Sequence, residues 1–156
     1  MFAIRILYSL IEYSKYVPTT NQNAPEALRQ DMAARYNVRR TEAVELGRVR
    51  DYLLALDEPG DIGPGDVVPP LFMLTLARTR RPQPSKGTAV KAGDDYAFHA
   101  PVRVGDVITI SQRLADIEVK EGKNGPMYLI IVDGEFKNQR GEVVCTQRVK
   151  TFRWGM

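Results

Sequence analysis

Apolar residues recur along this chain with two different periods, and the switch between them divides it. Val44, Val49, Tyr52, Leu53 and Leu56 fall close to one stripe of a helix, whereas Tyr128, Ile130, Val132 and Phe136 alternate with other residues as one buried face of a strand. The first pattern predicts a helix opened at Thr41, whose hydroxyl can accept from a free amide of the first turn. Glu42 and Glu45 would sit near the positive end of its dipole, and Asp57-Glu58-Pro59-Gly60 would end it. Pro59, Gly60, Gly63, Pro64, Gly65, Pro69 and Pro70 make residues 59–70 a turning loop. From Pro69 the chain reads Pro-Pro-Leu-Phe-Met-Leu-Thr-Leu-Ala, a second helix apolar on nearly every side. Such a helix needs partners all round it, which a sheet wrapped about it would supply.

Residues 96–98, 107–119, 127–137 and 142–154 are rich in β-branched and aromatic residues and read as strands, with residues 36–40 a short extended piece. Turns at 120–126 and 138–141 join the last three strands into an antiparallel meander. The order of elements gives an α+β fold, helices first and long strands last. A doubly wound fold is disfavoured, because strands and helices do not alternate and no glycine-rich strand-to-helix turn is present.

Composition narrows the chemistry. The 156 residues form one domain by length, and 44% hydrophobic residues suffice for a folded core. The one cysteine, Cys145, and the one histidine, His99, exclude an internal disulfide, a thiolate cluster and any metal site needing two imidazoles. No metal and no cofactor is expected. The net charge of +3 comes from interspersed signs, and the densest basic run, Arg78, Arg80, Arg81, Lys86 and Lys91, contains no aromatic residue. It reads as a solvated loop or an anion-binding rim, and no nucleic-acid partner is expected. The N-terminal segment through Tyr16 is too short to span a bilayer and is broken by Arg5, Glu12 and Lys15. No membrane association is expected and a cytoplasmic location is the default. Ile4, Leu7, Leu10 and Ile11 have the spacing of a short amphipathic helix, although a disordered extension fits as well, since residues 17–25 read as a polar linker.

Three segments belong together: Gly65-Asp66-Val67-Val68-Pro69-Pro70-Leu71-Phe72, Phe98-His99-Ala100-Pro101-Val102-Arg103-Val104-Gly105-Asp106, and Asn138-Gln139-Arg140-Gly141-Glu142-Val143-Val144. In this order they resemble the MaoC-like dehydratases, specifically the N-terminal half accompanying R-specific enoyl-CoA hydratases, over about residues 36–153. The resemblance implies a hot-dog fold in residues 36–156, a long central helix wrapped by a curved antiparallel sheet, with residues 1–35 an N-terminal extension and linker. It also implies pairing with a second hot-dog unit, as homo-oligomer or heteromer, and an acyl-CoA or other acyl thioester as ligand. Chemistry in the family is addition of water across the 2,3 double bond of an acyl-CoA, or its reversal. An Asp and a His in a Gly-Asp-x-Asn-Pro-x-His loop carry it, with an oxyanion site at a helix N-terminus. Here that terminus would be Pro70, Leu71 and Phe72.

The catalytic loop is where this sequence departs. Asp57-Glu58-Pro59-Gly60-Asp61-Ile62-Gly63 occupies its place, with Glu58 at the Asp position and Gly63 at the His position. Three readings follow. The chain is the non-catalytic acyl-CoA-binding partner of an active subunit. Alternatively, it is an active enoyl-CoA hydratase, 3-hydroxyacyl dehydratase or thioesterase, with Glu58 as base, Asp61 positioning water and His99 assisting. In the third reading it only binds CoA esters, with Arg80 and Arg81 on the phosphates. Each residue also has a plainer role: Glu58 and Asp61 as turn formers, His99 as a partly exposed imidazole at the sheet edge, Cys145 as a small buried hydrophobe.

Overall fold

The computed structural model describes residues 2–6, 24–77, 87–123 and 125–155. Strand β1 (Phe2–Ile6) comes first, then helix α1 (Glu26–Tyr36), strand β2 (Val38–Ala43) and helix α2 (Leu46–Ala55). A 3-10 turn (Pro70–Phe72) leads into helix α3 (Met73–Ala77), and four long strands follow: β3 (Thr88–Phe98), β4 (Val107–Gly122), β5 (Gly125–Lys137) and β6 (Val143–Trp154). All pair antiparallel in one six-stranded sheet of order β1-β3-β6-β5-β4-β2. The meander expected from the strand patterns is present, its turns at Gly122↔Gly125 and at residues 138–142, where Asn138 N–H donates to Glu142 C=O at 3.0 Å.

Three expectations are corrected. Thr41 does not cap a helix; it lies in β2 opposite Thr109, and α2 begins after Glu45 with no acidic residue in its first turn. The ladder from Val38↔Gln112 to Ala43↔Val107 satisfies backbone groups that a local cap could not, so pairing overrides the capping signal. Phe2–Ile6 is not helical but pairs with Ile6↔Asp94 through Phe2↔Phe98, closing part of the edge of β3. Residues 7–16 of the expected amphipathic segment lie outside the described residues. The stretch expected to be an extension also supplies α1, whose Met32 and Tyr36 are buried with Ile117, Ile130 and Val132. Of the long central helix, the described part is three residues of 3-10 turn and five of α3, ending where the Arg40 guanidinium donates to the Leu76 carbonyl.

The sheet buries one face in two clusters. Under α2 and α3 lie Ile108, Ile110, Phe136, Val144 and Cys145, with Phe72, Met73 and Leu76 pressed onto them. Under α1 lies the smaller cluster. Between them a polar row crosses the sheet: Gln112 Nε2 donates to Gln147 Oε1 at 3.4 Å, and Gln147 Nε2 donates to Tyr96 Oη at 2.6 Å. Gly134 stands in register with both glutamines, and a Cβ there would come within 3.1 Å of Gln147 Oε1. Its bare backbone is what lets the two amides meet.

Candidate active-site cavity

The cavity begins with how α2 stops. Asp57 takes a left-handed conformation (φ 56), its N–H donates to Leu54 C=O, and Glu58 N–H donates to Leu53 C=O at 3.0 Å. This pair of bonds is a Schellman cap, so Asp57-Glu58 close the helix. Glu58 is exposed, and its charge, after burial, helps push the Tyr52 phenol above its ordinary pKa. Tyr52 stands edge-on to Phe72, ring centroids 5.6 Å apart, which ties the end of α2 to the start of the helix that follows.

The loop then folds onto residues 102–104. Gly65 N–H donates to Val104 C=O, Val104 N–H to Asp66 C=O, and Val68 N–H to Val102 C=O, all at 2.9–3.0 Å. Arg103 and Asp106 make the returning turn: Arg103 N–H donates to Asp106 Oδ2 at 2.8 Å, and Gly105 adopts φ 95, a conformation costly for any other residue. Gln139 donates to the other Asp106 oxygen at 2.8 Å. The Pro-Val-x-Val-Gly-Asp segment is therefore a clamp for the fold rather than a source of reacting groups.

Val67, Val68, Pro70, Met73, Phe98, His99, Ala100, Pro101 and Val102 line a cavity of about 500 Å³. The structure brings His99 and Pro70 together here. Leu71 is half-buried and Phe72 points into the core. Glu58 and Asp61 are exposed on the preceding loop and line no part of the cavity. Arg80 and Arg81 lie outside the described residues; Lys91, from the same basic run, is ion-paired with buried Asp94.

His99 is exposed, and its Nε2 lies 3.0 Å from Thr146 Oγ1; among the described residues no carboxylate orients the ring. Pro69 and Pro70 carry no amide hydrogen, and Phe72 N–H is engaged by Pro69 C=O at 2.9 Å, which leaves that turn few donors for an oxyanion. Cys145, on the strand beneath, is fully buried and burial pushes its thiol up to about 12, so it holds its proton near neutral pH. Thr146 and Met73 were not singled out from the sequence; only their neighbourhood to His99 and Pro70 in space marks them.

A larger concavity, about 710 Å³, is lined by residues 95–97, 111–113, 133–135 and 146–148. Arg113 and Arg148 pair with Asp133 within it, while Asp95 and Glu135 pair with Lys150 and Lys137 beside it. A hydrogen bond from Arg148 Nε at 2.7 Å, with Arg113 nearby, holds the Asp133 carboxyl below its ordinary pKa.

Solved structures of similar shape place the fold. The MaoC-like dehydratase of Rhodospirillum rubrum aligns with TM-score 0.58 at 17% identity, over 77% of this chain and 92% of that one. A chain of the ChsH1-ChsH2 complex of Mycobacterium tuberculosis aligns with TM-score 0.65 at 17% identity, over 83% and 90%. A chain of the C-terminally truncated HadBC (3R-hydroxyacyl-ACP dehydratase) complex of the same organism aligns with TM-score 0.56 at 17% identity, over 75% and 93%. No curated protein matches the chain in sequence. The architecture is the α+β hot-dog fold of MaoC-like hydratases and dehydratases. A family model described as "FAS1-like, dehydratase domain region" matches residues 30–147, and the chain belongs to that family. Among the described residues no helix is long and apolar enough to cross a membrane, and no group of three or more His, Cys, Asp or Glu could hold a metal ion.

Proposed function

We propose that this chain is the non-catalytic, acyl-thioester-binding member of a pair of hot-dog subunits, the other of which carries the Asp and His that move protons. The observation that carries this reading is the separation of the acidic residues from the imidazole. Glu58 and Asp61 stand on a loop closed by a helix cap, while His99 lines the cavity with a hydroxyl and, among the described residues, no carboxylate at its ring. General acid–base work on an acyl thioester asks for both groups within reach of one substrate atom. The cavity walls are apolar and suited to an acyl chain, which is what a subunit that shapes a binding tunnel must provide. The similar chains of ChsH1-ChsH2 and HadBC come from two-component complexes, which supports pairing with an unlike subunit.

The test is to assay hydration of an enoyl-CoA by the chain alone, by a catalytic hot-dog subunit alone and by the mixture, with calorimetric titration of acyl-CoA into each. The reading expects no turnover by the chain alone and a changed rate or chain-length preference in the mixture. Brisk turnover by the purified chain overturns it. His99 at the cavity keeps one second reading in view, an active hydratase or dehydratase, and His99→Ala separates the two. Loss of turnover by more than 100-fold supports the enzyme.

A further inference from the structure

Along β6 the side chains facing the buried side of the sheet are Cys145, Gln147, Val149, Thr151 and Arg153, and the last is out of place. Arg153 is 3% exposed, yet it forms no ion pair among the described residues. Its Nη1 reaches only Met32 Sδ, a weak acceptor at 3.9 Å, while Nε and Nη2 are buried with no hydrogen-bond partner. A guanidinium does not shed its proton when buried, so the charge stays, and an unpaired charge is among the costliest things a core can hold.

The two orphaned nitrogens are adjacent. Nε–H and Nη2–H form the side of the guanidinium on which two N–H bonds run parallel, the edge that grips a carboxylate or phosphate with two hydrogen bonds. Carboxylates among the described residues do not serve it: Asp116 pairs with Arg29, Glu118 with Lys120 and Asp94 with Lys91. Across the sheet Arg153 faces Ala89 and Tyr128, and Met32 of α1 lies over it. Such a residue, wrong for packing and set for bidentate recognition, is where a functional demand has overridden the local pattern.

We propose that Arg153 is an oxyanion-binding residue: a carboxylate or phosphate group of a small ligand enters between α1 and the end of β6 and is held by Nε and Nη2. Helix α1 is the element that gives way. It is fastened by Met32, Tyr36, the Arg29–Asp116 pair at 3.3 Å and the Leu114 N–H to Asn37 Oδ1 bond, and no side chain caps its N-terminus. Seven residues of strand, roughly 23 Å, separate Arg153 from Thr146 beside His99. The site therefore stands apart from the cavity and does not rest on the acyl-thioester reading.

Melting of the full chain in phosphate, succinate or chloride at matched ionic strength and pH tests this, with Arg153→Met and Arg153→Lys alongside. Wild type should gain about 5 °C in saturating phosphate or succinate over chloride. Arg153→Met should melt in chloride at or above wild type, because an isosteric apolar residue replaces a buried lone charge, and should lose the part of the gain that is specific. The nonspecific gain from excluded anions remains in that variant and is subtracted. Arg153→Lys, charged but without the paired edge, should keep less than half of the specific gain. In unsubstituted protein the Nε–H resonance of Arg153 should shift on titration with the active anion. A phosphate-only or succinate-only response supports the site and names its ligand class. An equal gain in Arg153→Met and wild type, a large drop in the melting temperature of Arg153→Met in chloride, or an unmoved Nε–H resonance overturns it.

Discussion

The two ends of the buried sheet face are built from opposite materials. Beneath α3 the surface is mostly apolar: Ile108, Ile110, Phe136 and Val144 meet Phe72, Met73 and Leu76, and the charge beside them, Arg40, is answered by the Leu76 carbonyl and by Glu42 at 3.3 Å. Beneath α1 the same strands give Ile117, Ile130 and Val132 but also Arg153, whose charge nothing among the described residues answers. The glutamine row with Tyr96 and Gly134 lies between them. The contrast teaches that the first end is specified for stability and the second tolerates a defect, which a fold keeps only where something other than packing is selected.

Four substitutions break or sharpen that contrast. Phe72→Ala removes the ring that joins α2 to α3 and should cost about 4 kcal/mol in urea unfolding, a global loss, since the apolar end is the cooperative core. A loss below about 1 kcal/mol would erase the distinction. Met32→Ala, 2% exposed, should cost about 2 kcal/mol. It should raise hydrogen exchange in α1 while the β5 and β6 amides stay protected, because α1 rests on the weaker cluster. Gly134→Ala, at the boundary, places a Cβ 3.1 Å from Gln147 Oε1 and should cost about 1 kcal/mol as the glutamine contact is displaced.

The smallest effect is expected on the opposite face, at Asp133→Asn. The folded pKa of Asp133 is depressed, chiefly by its hydrogen bond from Arg148, so its contribution is present above the ordinary carboxylate pKa and lost as pH falls through the folded value. Both partners reach solvent, so the variant should be about 0.5 kcal/mol less stable at pH 7. The two proteins should converge in stability as pH falls through the folded value of Asp133.

Much of the sheet was legible because alternation is dictated by burial: Ile130, Val132 and Phe136 are all buried, and Cys145 is the small buried residue its strand pattern implied. The start of α2 was not legible. Thr41 has the chemistry of a cap, and nothing local reveals that β4 lies alongside to claim residues 38–43. At the candidate site, His99 and Pro70 were marked by motif and the structure sets them around one cavity. The bonds that make Asp57-Glu58 a helix cap depend on a left-handed backbone that residue identity alone does not announce. Arg153 was missed for a simpler reason. Hydrophobic patterning counts apolar residues on a face and passes over a charge at an inward position, although counting by twos from Cys145 would have reached it.

The bonds between residues 65–68 and 102–104 have a mechanical consequence for whatever occupies the cavity. Val67 and Val68 on one wall and Pro101 and Val102 on the other hang from the same backbone rungs, and Asp106 anchors the turn behind them. Neither wall can swing out alone. A guest of this cavity would be admitted by its girth, and on the acyl-thioester reading proposed above discrimination at this end would fall to shape rather than to any closing movement.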